Sequence, residues 1–276
     1  MKRKKLTASM IALVMSVSLP MTTYAANWYL EDGSVTVNAD NSGQTVTQGS
    51  GSAVPDEAPV ITQRNSSAET SNTITINASE NATANVTISN VNIDTSSAAI
   101  ATSGKGNVNI ELDGTNTLKS GVDHAGLEKN SDGNQGKLTI TDENANGKLI
   151  ATGGDYGAGI GGDDQGNGKN ITITGGEVTA AGGGNGAGIG GGLRKEGEKI
   201  TVSGDATLKV QGGLTDEWDG AGAGIGNGGR HNGDTGSFIP VNGAETEPDT
   251  SNLTTGKIEY YAPGADMTKD EPTSTT

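Results

Sequence analysis

Short segments in which aliphatic residues alternate with threonine recur along the chain. Among them are residues 138–141 (Leu-Thr-Ile-Thr), 171–174 (Ile-Thr-Ile-Thr) and 200–203 (Ile-Thr-Val-Ser). Alternation with a period of two is typical of a strand that has one buried and one solvent-facing side. A second aliphatic segment follows each of these copies, at residues 148–151, 177–180 and 207–210. No segment combines helical periodicity with capping residues, so the pattern predicts an all-β fold with very little helix.

A glycine-rich segment lies between these strand pairs. Residues 157–161 (Gly-Ala-Gly-Ile-Gly) return at 186–190 and 222–226, with weaker copies at 125–127 and 98–100. The alanines of successive copies, from Ala98 to Ala223, are 27, 33, 29 and 36 residues apart. A repeat of this size is typical of stacked supersecondary units. We therefore predict a parallel β-helix with three short strands per coil, the same position in successive coils lying about 4.8 Å apart.

Within the glycine-rich segment only Ala and Ile carry side chains, so the strand is thin. Another backbone layer, a loop or a ligand can therefore approach it closely. Of these explanations, tight packing within the coil is favoured over a ligand-binding surface.

The threonines of the alternating segments predict a polar ladder on a flat sheet face. The expected members are Thr73, Thr75, Thr139, Thr141, Thr172, Thr174, Thr201 and Ser203. Ordered threonine arrays can bind ice or crystalline polysaccharide, but Thr is also a good strand former on a solvated face. The second explanation is favoured, because Asn109 and Glu111 interrupt the array.

The N-terminal residues predict export. Residues 2–5 are Lys-Arg-Lys-Lys, residues 10–19 are mainly apolar, and small residues follow near Ala25. This order is typical of a signal peptide, here residues 1–26, and the apolar run is too short to span a bilayer. An uncleaved anchor is the less favoured alternative. Since no second apolar run exists, we predict a secreted protein with no transmembrane segment and leave association with the cell surface open.

The remaining chain divides into three predicted regions. Residues 27–71 form an N-terminal cap with irregular strands, in which the bulky residues 28–30 (Trp-Tyr-Leu) cover the first coil. Residues 72–262 form the parallel β-helix with a C-terminal cap, and residues 263–276 form a disordered polar tail.

Composition narrows the set of partners. The formal charge is −15, which disfavours nucleic acid and anionic membranes and suits solubility or cation binding. The chain has no cysteine and one phenylalanine, so hydrogen bonding and a core of Ile, Val, Leu and Ala must hold the fold. We expect a monomer.

The loops just before the glycine-rich segments carry the candidate ligand-binding residues. These are Asp123, His124, Asp155, Tyr156, Asn185, Glu217, Trp218 and Asp219. Stacking of the coils predicts that they align along one edge. A flat side chain packs on the apolar face of a sugar ring, while carboxylates accept hydrogen bonds from hydroxyl groups. Trp218 is the strongest member, because a lone tryptophan in a polar loop has little core to enter; a local lid over the coil is its alternative.

The loops just after the glycine-rich segments form a second row, at residues 128–134, 163–167, 193–196 and 227–234. Asp163, Asp164 and Asn167 place hard oxygen ligands at short spacing, which suits calcium. They match neither an EF-hand loop nor the calcium-binding nonapeptide. A solvated acidic turn is therefore the favoured alternative, and calcium remains a candidate cofactor.

The repeated Gly-Ala-Gly-Ile-Gly-Gly segments and strands such as residues 170–176 resemble a known family. It comprises the carbohydrate-binding β-helix domains of secreted and cell-surface proteins in Gram-positive bacteria. The resemblance covers about residues 72–230. It implies a right-handed parallel β-helix related in shape to pectate lyases, binding of plant-type or acidic polysaccharide, and calcium in some members. Similar repeats occur in large adhesins, so sugar-binding and adhesive roles both stay open.

Three functional hypotheses follow. The leading one is an exported, non-catalytic protein that binds polysaccharide through its stacked loops. The alternative is a structural or adhesive surface module without a defined glycan. The third is a polysaccharide lyase, which needs an Arg or Lys base such as Arg194 or Arg230 beside acidic calcium ligands. Neither arginine lies in a recognisable lyase motif, so no catalytic residue is predicted.

Overall fold

The computed structural model describes residues 26–129, 136–232 and 239–276. Three predicted features therefore fall outside the described residues: the signal peptide up to residue 25, part of the second loop row (residues 130–134 and 233–234), and residues 135 and 235–238 of the predicted β-helix region.

Short strands make up nearly all of the regular structure. The first twelve are β1 Asn27–Tyr29, β2 Val35–Asp40, β3 Gly43–Gln48, β4 Val54–Pro55, β5 Val60–Thr62, β6 Ile74–Ala78, β7 Thr83–Ser89, β8 Asn92–Asp94, β9 Ile100–Gly104, β10 Asn107–Asp113, β11 Thr115–Lys119 and β12 Leu127–Lys129. The others are β13 Leu138–Thr141, β14 Lys148–Thr152, β15 Ile160–Gly161, β16 Gly168–Ile173, β17 Glu177–Ala181, β18 Ile189–Gly190, β19 Gly197–Val202, β20 Thr207–Gln211, β21 Ile225–Gly226, β22 Arg230–Asn232, β23 Ile239–Val241, β24 Lys257–Tyr261 and β25 Ser274–Thr275. Within the described ranges, the only helix is the 3-10 turn Leu30–Asp32.

The strands form three large sheets. The first has the order β1-β5-β7-β10-β13-β16-β19, the second β25-β24-β20-β17-β14-β11-β8, and the third β21-β18-β15-β12-β9-β6-β2-β3-β4. From β7 to β21 the chain visits the first, second and third sheet in turn, and the neighbouring strands in each sheet run parallel. The prediction of an all-β fold with parallel sheets and almost no helix is confirmed.

The glycine-rich segments lie in the third sheet, where their aliphatic residues form one buried column. The members are Ile74, Ile100, Leu127, Ile160, Ile189 and Ile225. All six side chains are fully buried. Burial of one such side chain contributes about 1.5–3 kcal/mol relative to exposure, so this column is a large part of the core.

Backbone packing between layers explains the glycines. A Cβ atom on Gly157 would lie 2.1 Å from the His124 carbonyl oxygen. One on Gly186 would lie 2.0 Å from the Gly157 oxygen, and one on Gly222 would lie 1.9 Å from the Gly186 oxygen. No side chain fits at these distances. The glycines therefore serve packing between layers, which is the explanation that the sequence favoured.

The predicted threonine ladder is wrong in one respect. Thr75 belongs to β6 in the third sheet, whereas Thr139, Thr172 and Thr201 are register partners in the first sheet. Alternation reveals which residues point inward but not which sheet a strand joins. In the first sheet the ladder continues from Thr139 to Asn109 instead.

The two ends of the stacked strands are closed differently. At the N-terminal end, Leu30 is fully buried and Trp28 Nε1 donates to Asp56 Oδ2 at 2.8 Å. At the other end, the disordered tail predicted for residues 263–276 is wrong, since β25 pairs antiparallel with β24. The side chain of Gln211 also holds this end of the chain, since its Nε2 donates to the backbone carbonyls of Ala262 and Ala265 at 2.6 and 2.9 Å. The edge of β24 has unpaired backbone N–H and C=O groups, and a polar segment can hydrogen-bond to them. The amino-acid composition of the segment does not indicate this pairing.

No helix in the described part of the chain is long and apolar enough to cross a membrane.

Candidate functional site

The loops that precede the glycine-rich segments stack on one another. Asp123, Tyr156 and Asn185 occupy equivalent positions, with left-handed φ values of 71°, 73° and 65°. Their amides bond to the next loop in the stack: Asp123 N to Asp155 O at 2.8 Å, Tyr156 N to Gly184 O at 2.8 Å, and Asn185 N to Leu214 O at 3.0 Å. The predicted alignment of these loops along one edge is therefore observed.

The second loop row meets the first. The carbonyl oxygens of the same three turn residues accept amides from the loop after the next glycine-rich segment: Asp123 O from Asp164 N at 2.9 Å, Tyr156 O from Leu193 N at 2.8 Å, and Asn185 O from Gly229 N at 2.6 Å. Both predicted rows consequently form one continuous edge, which we call the loop edge (residues 122–124, 154–156, 183–185 and 213–219, with 163–167 and 192–195).

The predicted ligand-binding residues divide by exposure. Asp123, Asp155 and Glu217 are exposed, and His124 and Tyr156 are half-buried. Trp218 is 54% exposed. Asn185 and Asp219, by contrast, are only 1% and 3% exposed. The first group can contact a ligand from solution, whereas the two buried side chains hold the loops.

Asn185 links its own turn to the last loop of the edge. Its Nδ2 donates to the carbonyl oxygens of Asp219 and Gly220, at 3.1 and 2.9 Å. Buried polar groups need such partners, and these two bonds fix residues 219 and 220 against the preceding repeat.

Asp219 is the electrostatic anchor of this loop. Arg194 donates to it twice, Nε to Oδ1 at 2.9 Å and Nη2 to Oδ2 at 2.6 Å, and His231 Nδ1 lies 3.0 Å from Oδ1. Burial acts to raise the pKa of Asp219, but the hydrogen bonds and charges of Arg194 and His231 outweigh it, so the pKa is lowered. The carboxylate is therefore held ionised inside the loop edge.

The turn that carries Trp218 is fixed on both sides. Asp216 Oδ1 accepts the amides of Trp218 and Asp219, both at 2.7 Å. Asp216 N donates to Asp219 O at 3.0 Å, and Thr215 Oγ1 donates to the same oxygen at 2.9 Å. The indole thus projects from a turn whose following residue is the buried anchor Asp219.

A groove with a volume of about 410 Å³ lies along the same edge. Its side-chain lining includes Thr152, Asp155, Tyr156, Leu214 and Asp216. Its floor is glycine, at residues 153, 182–184 and 212–213. Small-molecule sites have volumes of about 300–1,000 Å³, so the groove has room for a ligand of a few rings.

His124 pairs with a residue that was not among the predicted ligand-binding residues. Its Nδ1 lies 2.9 Å from Glu128 Oε2. Burial raises the pKa of Glu128, the hydrogen bond with His124 partly opposes this rise, and the charge of Asp163 adds to it.

Four residues outside the predicted ligand-binding set support the loop edge: Glu128, Arg194, Asp216 and His231. Their position in the two loop rows was the only sequence signal for them.

Three oxygens of the candidate calcium ligands already accept hydrogen bonds, whereas Asp164 Oδ1 is buried and has no hydrogen-bond partner among the described residues. Asp163 Oδ1 accepts the amide of Gln165 at 3.1 Å, and Asp164 Oδ2 accepts Gln165 Nε2 at 2.8 Å. Asn167 Oδ1 accepts the amide of Glu196 at 2.9 Å. In the part of the chain that the structure describes, no group of three or more His, Cys, Asp or Glu residues is placed to hold a metal ion. These donors therefore fit an acidic turn better than a calcium site.

Comparisons with known proteins found no counterpart: no family model matches the chain, and no curated protein or solved structure matches it.

Proposed function

We propose that the chain is a right-handed parallel β-helix with three strands per coil. Two observations support this: consecutive strands visit the three sheets in turn, and the register runs parallel from coil to coil. Parallel strands joined in this way keep one hand of connection in nearly all known cases, the right hand.

We further propose that it is an exported, non-catalytic carbohydrate-binding protein, and that the loop edge is its binding site. The observation that carries the proposal is the exposure of Trp218, which is 54%. The next residue, Asp219, is buried and accepts two hydrogen bonds from Arg194. An exposed indole on a fixed turn loses little conformational entropy when it binds. The turn therefore presents a flat apolar surface ready for a sugar ring.

The groove residues supply the polar part of such a site. Tyr156 offers a second ring and a hydroxyl, and Asp155 offers a carboxylate that accepts hydrogen bonds from sugar hydroxyls. The glycine floor lets a ligand approach the backbone closely. Because Asp123, Asp155 and Glu217 are all acidic, a neutral polysaccharide fits this edge directly, whereas an acidic one needs a bridging cation.

Arg194 does not have the properties of a lyase base. Its bonds to Asp219 raise the pKa of the guanidinium, and an arginine that acts as a base must instead lose its proton. We assign Arg194 to holding the Trp218 turn.

The test is binding to a panel of neutral and acidic polysaccharides, measured with calcium and with a chelator. We expect selective binding that Trp218→Ala weakens at least tenfold, while Trp218→Phe, which keeps a flat ring, retains much of it. A tenfold loss corresponds to about 1.4 kcal/mol.

Two results would contradict the proposal. Unselective surface association that Trp218→Ala leaves unchanged would favour the adhesive alternative. Release of unsaturated uronide products, detected by their ultraviolet absorbance, would establish a lyase.

A further inference from the structure

A second cavity, of about 640 Å³, lies at the C-terminal end of the stacked strands. Its lining includes Glu245, Glu247, Tyr260, Thr273 and Ser274, and it shares no residue with the groove of the loop edge. We call it the end cavity. A concave surface that combines an aromatic ring with a few converging polar groups is the usual form of a small-ligand site.

Tyr260 closes the core at this end. It is the last member of an inward-facing column in the second sheet, which runs Leu118, Ala151, Ala180, Val210, Tyr260. Its ring lies over Gly224, where an added Cβ would be 2.9 Å from the ring atom Cδ1. The ring therefore packs on the last coil and also borders the end cavity.

Two carboxylates lie beside this ring. Glu245 is fixed, because its two oxygens accept the amides of Gly224 and Ile225 at 2.8 and 3.0 Å. Glu247 is exposed and makes no ion pair with a described residue. Glu245, Glu247 and Tyr260 line the same cavity, where burial, followed by the charges of the two carboxylates, raises the pKa of Tyr260 to about 12.

Closing the core requires the Tyr260 ring but not its hydroxyl or Glu247. An apolar side chain would cover the last coil equally well, so these polar groups need another explanation. The phenol makes no hydrogen bond within the described residues. The end cavity thus combines a ring face, a free hydroxyl, two negative charges and the hydroxyl-bearing residues Thr273 and Ser274.

We propose that the end cavity binds an amino-sugar unit in its ammonium form. The ammonium is attracted to Glu245 and Glu247 and to the face of Tyr260. Sugar hydroxyls hydrogen-bond to the Tyr260 phenol and to the hydroxyl of Ser274. The formal charge of −15 attracts a cationic glycan from a distance. This site is separate from Trp218, so either proposal can fail without the other.

The test compares two probes that share their ring hydroxyls and differ in charge: the hexasaccharide of glucosamine and that of N-acetylglucosamine. Calorimetric titration is done on the full chain at a pH that keeps the amine protonated. We expect the glucosamine hexasaccharide to bind at least tenfold more tightly. Glu247→Gln should weaken its binding about tenfold, and Tyr260→Phe, which keeps the ring that closes the core, should weaken it severalfold.

One variant serves as the control. Glu80→Gln removes the same charge from an exposed residue outside the cavity. It should leave binding of the glucosamine hexasaccharide unchanged. Circular dichroism of each variant confirms that the fold is retained.

Three results would overturn the proposal. Equal affinity for the N-acetylated probe would show that the ammonium is not recognised. An equal loss in Glu80→Gln and Glu247→Gln would show that only the overall charge matters. Hexalysine binding as tightly as the glucosamine hexasaccharide would identify a site for basic peptides.

Discussion

Arg194 holds Asp219 with two parallel hydrogen bonds, Nε to Oδ1 at 2.9 Å and Nη2 to Oδ2 at 2.6 Å. The Asp219 side chain is only 4% exposed, whereas that of Arg194 is 46% exposed. Two-pronged pairing of a guanidinium with a carboxylate is both strong and directional. The pair therefore fixes the position of the turn that carries Trp218.

Removing the arginine should destabilise the fold. Arg194→Gln leaves the buried carboxylate with His231 Nδ1, 3.0 Å away, as its remaining side-chain partner from this pairing. Loss of one partner from a fully buried pair costs about 3–5 kcal/mol, and since Arg194 is partly exposed we expect about 2 kcal/mol. Urea unfolding measures this, and glycan affinity should fall as well because Trp218 loses its fixed position.

The matched control is Lys148→Gln, which removes a lysine that pairs with Glu177 at the surface. Exposed pairs contribute little, so its unfolding curve should follow that of the wild type. Equal effects of the two substitutions would show that Asp219 does not depend on Arg194.

Stability should depend on pH through Asp219. The pKa of Asp219 is lower in the folded chain than in the unfolded chain, in which an aspartate has a pKa of about 4. The stabilisation is therefore present above that pH and is lost as the pH falls through the lower folded pKa.

The measurement is the difference in unfolding free energy between the wild type and Asp219→Asn as a function of pH. It should shrink as the pH falls below about pH 4. Glu177→Gln, at an exposed carboxylate, should show a much smaller change in that range. A difference that does not shrink below about pH 4 would contradict the assigned role of Asp219.

The glycine-rich segments should not tolerate even alanine. In Gly186→Ala the new Cβ would lie 2.0 Å from the Gly157 carbonyl oxygen, and the backbone of two coils would have to separate. We expect a loss of about 3 kcal/mol in unfolding free energy. Gly184→Ala is the control, because its Cβ would meet only the Asp155 carboxylate, at 3.3 Å, which can move. Similar stability of the two variants would contradict close backbone packing as the reason for the repeat.

The ladder on the first sheet contains a hydroxyl whose loss should be favourable. Thr139 Oγ1 is buried and has no hydrogen-bond partner among the described residues. Thr139→Val keeps the shape and removes the unsatisfied group, so we expect a gain of about 1 kcal/mol. Thr141→Val should instead lose about 1 kcal/mol, because the Thr141 hydroxyl donates to Glu111. Thermal unfolding of both variants tests the contrast, and a destabilised Thr139→Val would reveal a partner for that hydroxyl.

Much of the architecture follows from local patterns. Period-two alternation predicted the strands, and the repeat predicted which residues share a column, as Ile160 and Ile189 do. The same repeat predicted that the loops at Asp123, Tyr156 and Asn185 align, because stacking equivalent strands also stacks the loops that follow them. The prediction that Thr75 shares a ladder with Thr139 was wrong, since alternation is the same in every sheet.

The amino-acid sequence by itself determined the strand-rich class, the repeat and the glycines that let neighbouring backbone layers approach, because these depend on local spacing and side-chain size. Only the tertiary structure decided which polar residues reach solvent. Asn185 and Trp218 both belonged to one predicted row, yet Asn185 is 1% exposed and Trp218 is 54% exposed. Asp219 became an anchor because the fold brings Arg194, 25 residues away, within hydrogen-bonding distance. Charge pairing between loops depends on how the coils stack, which no local pattern encodes.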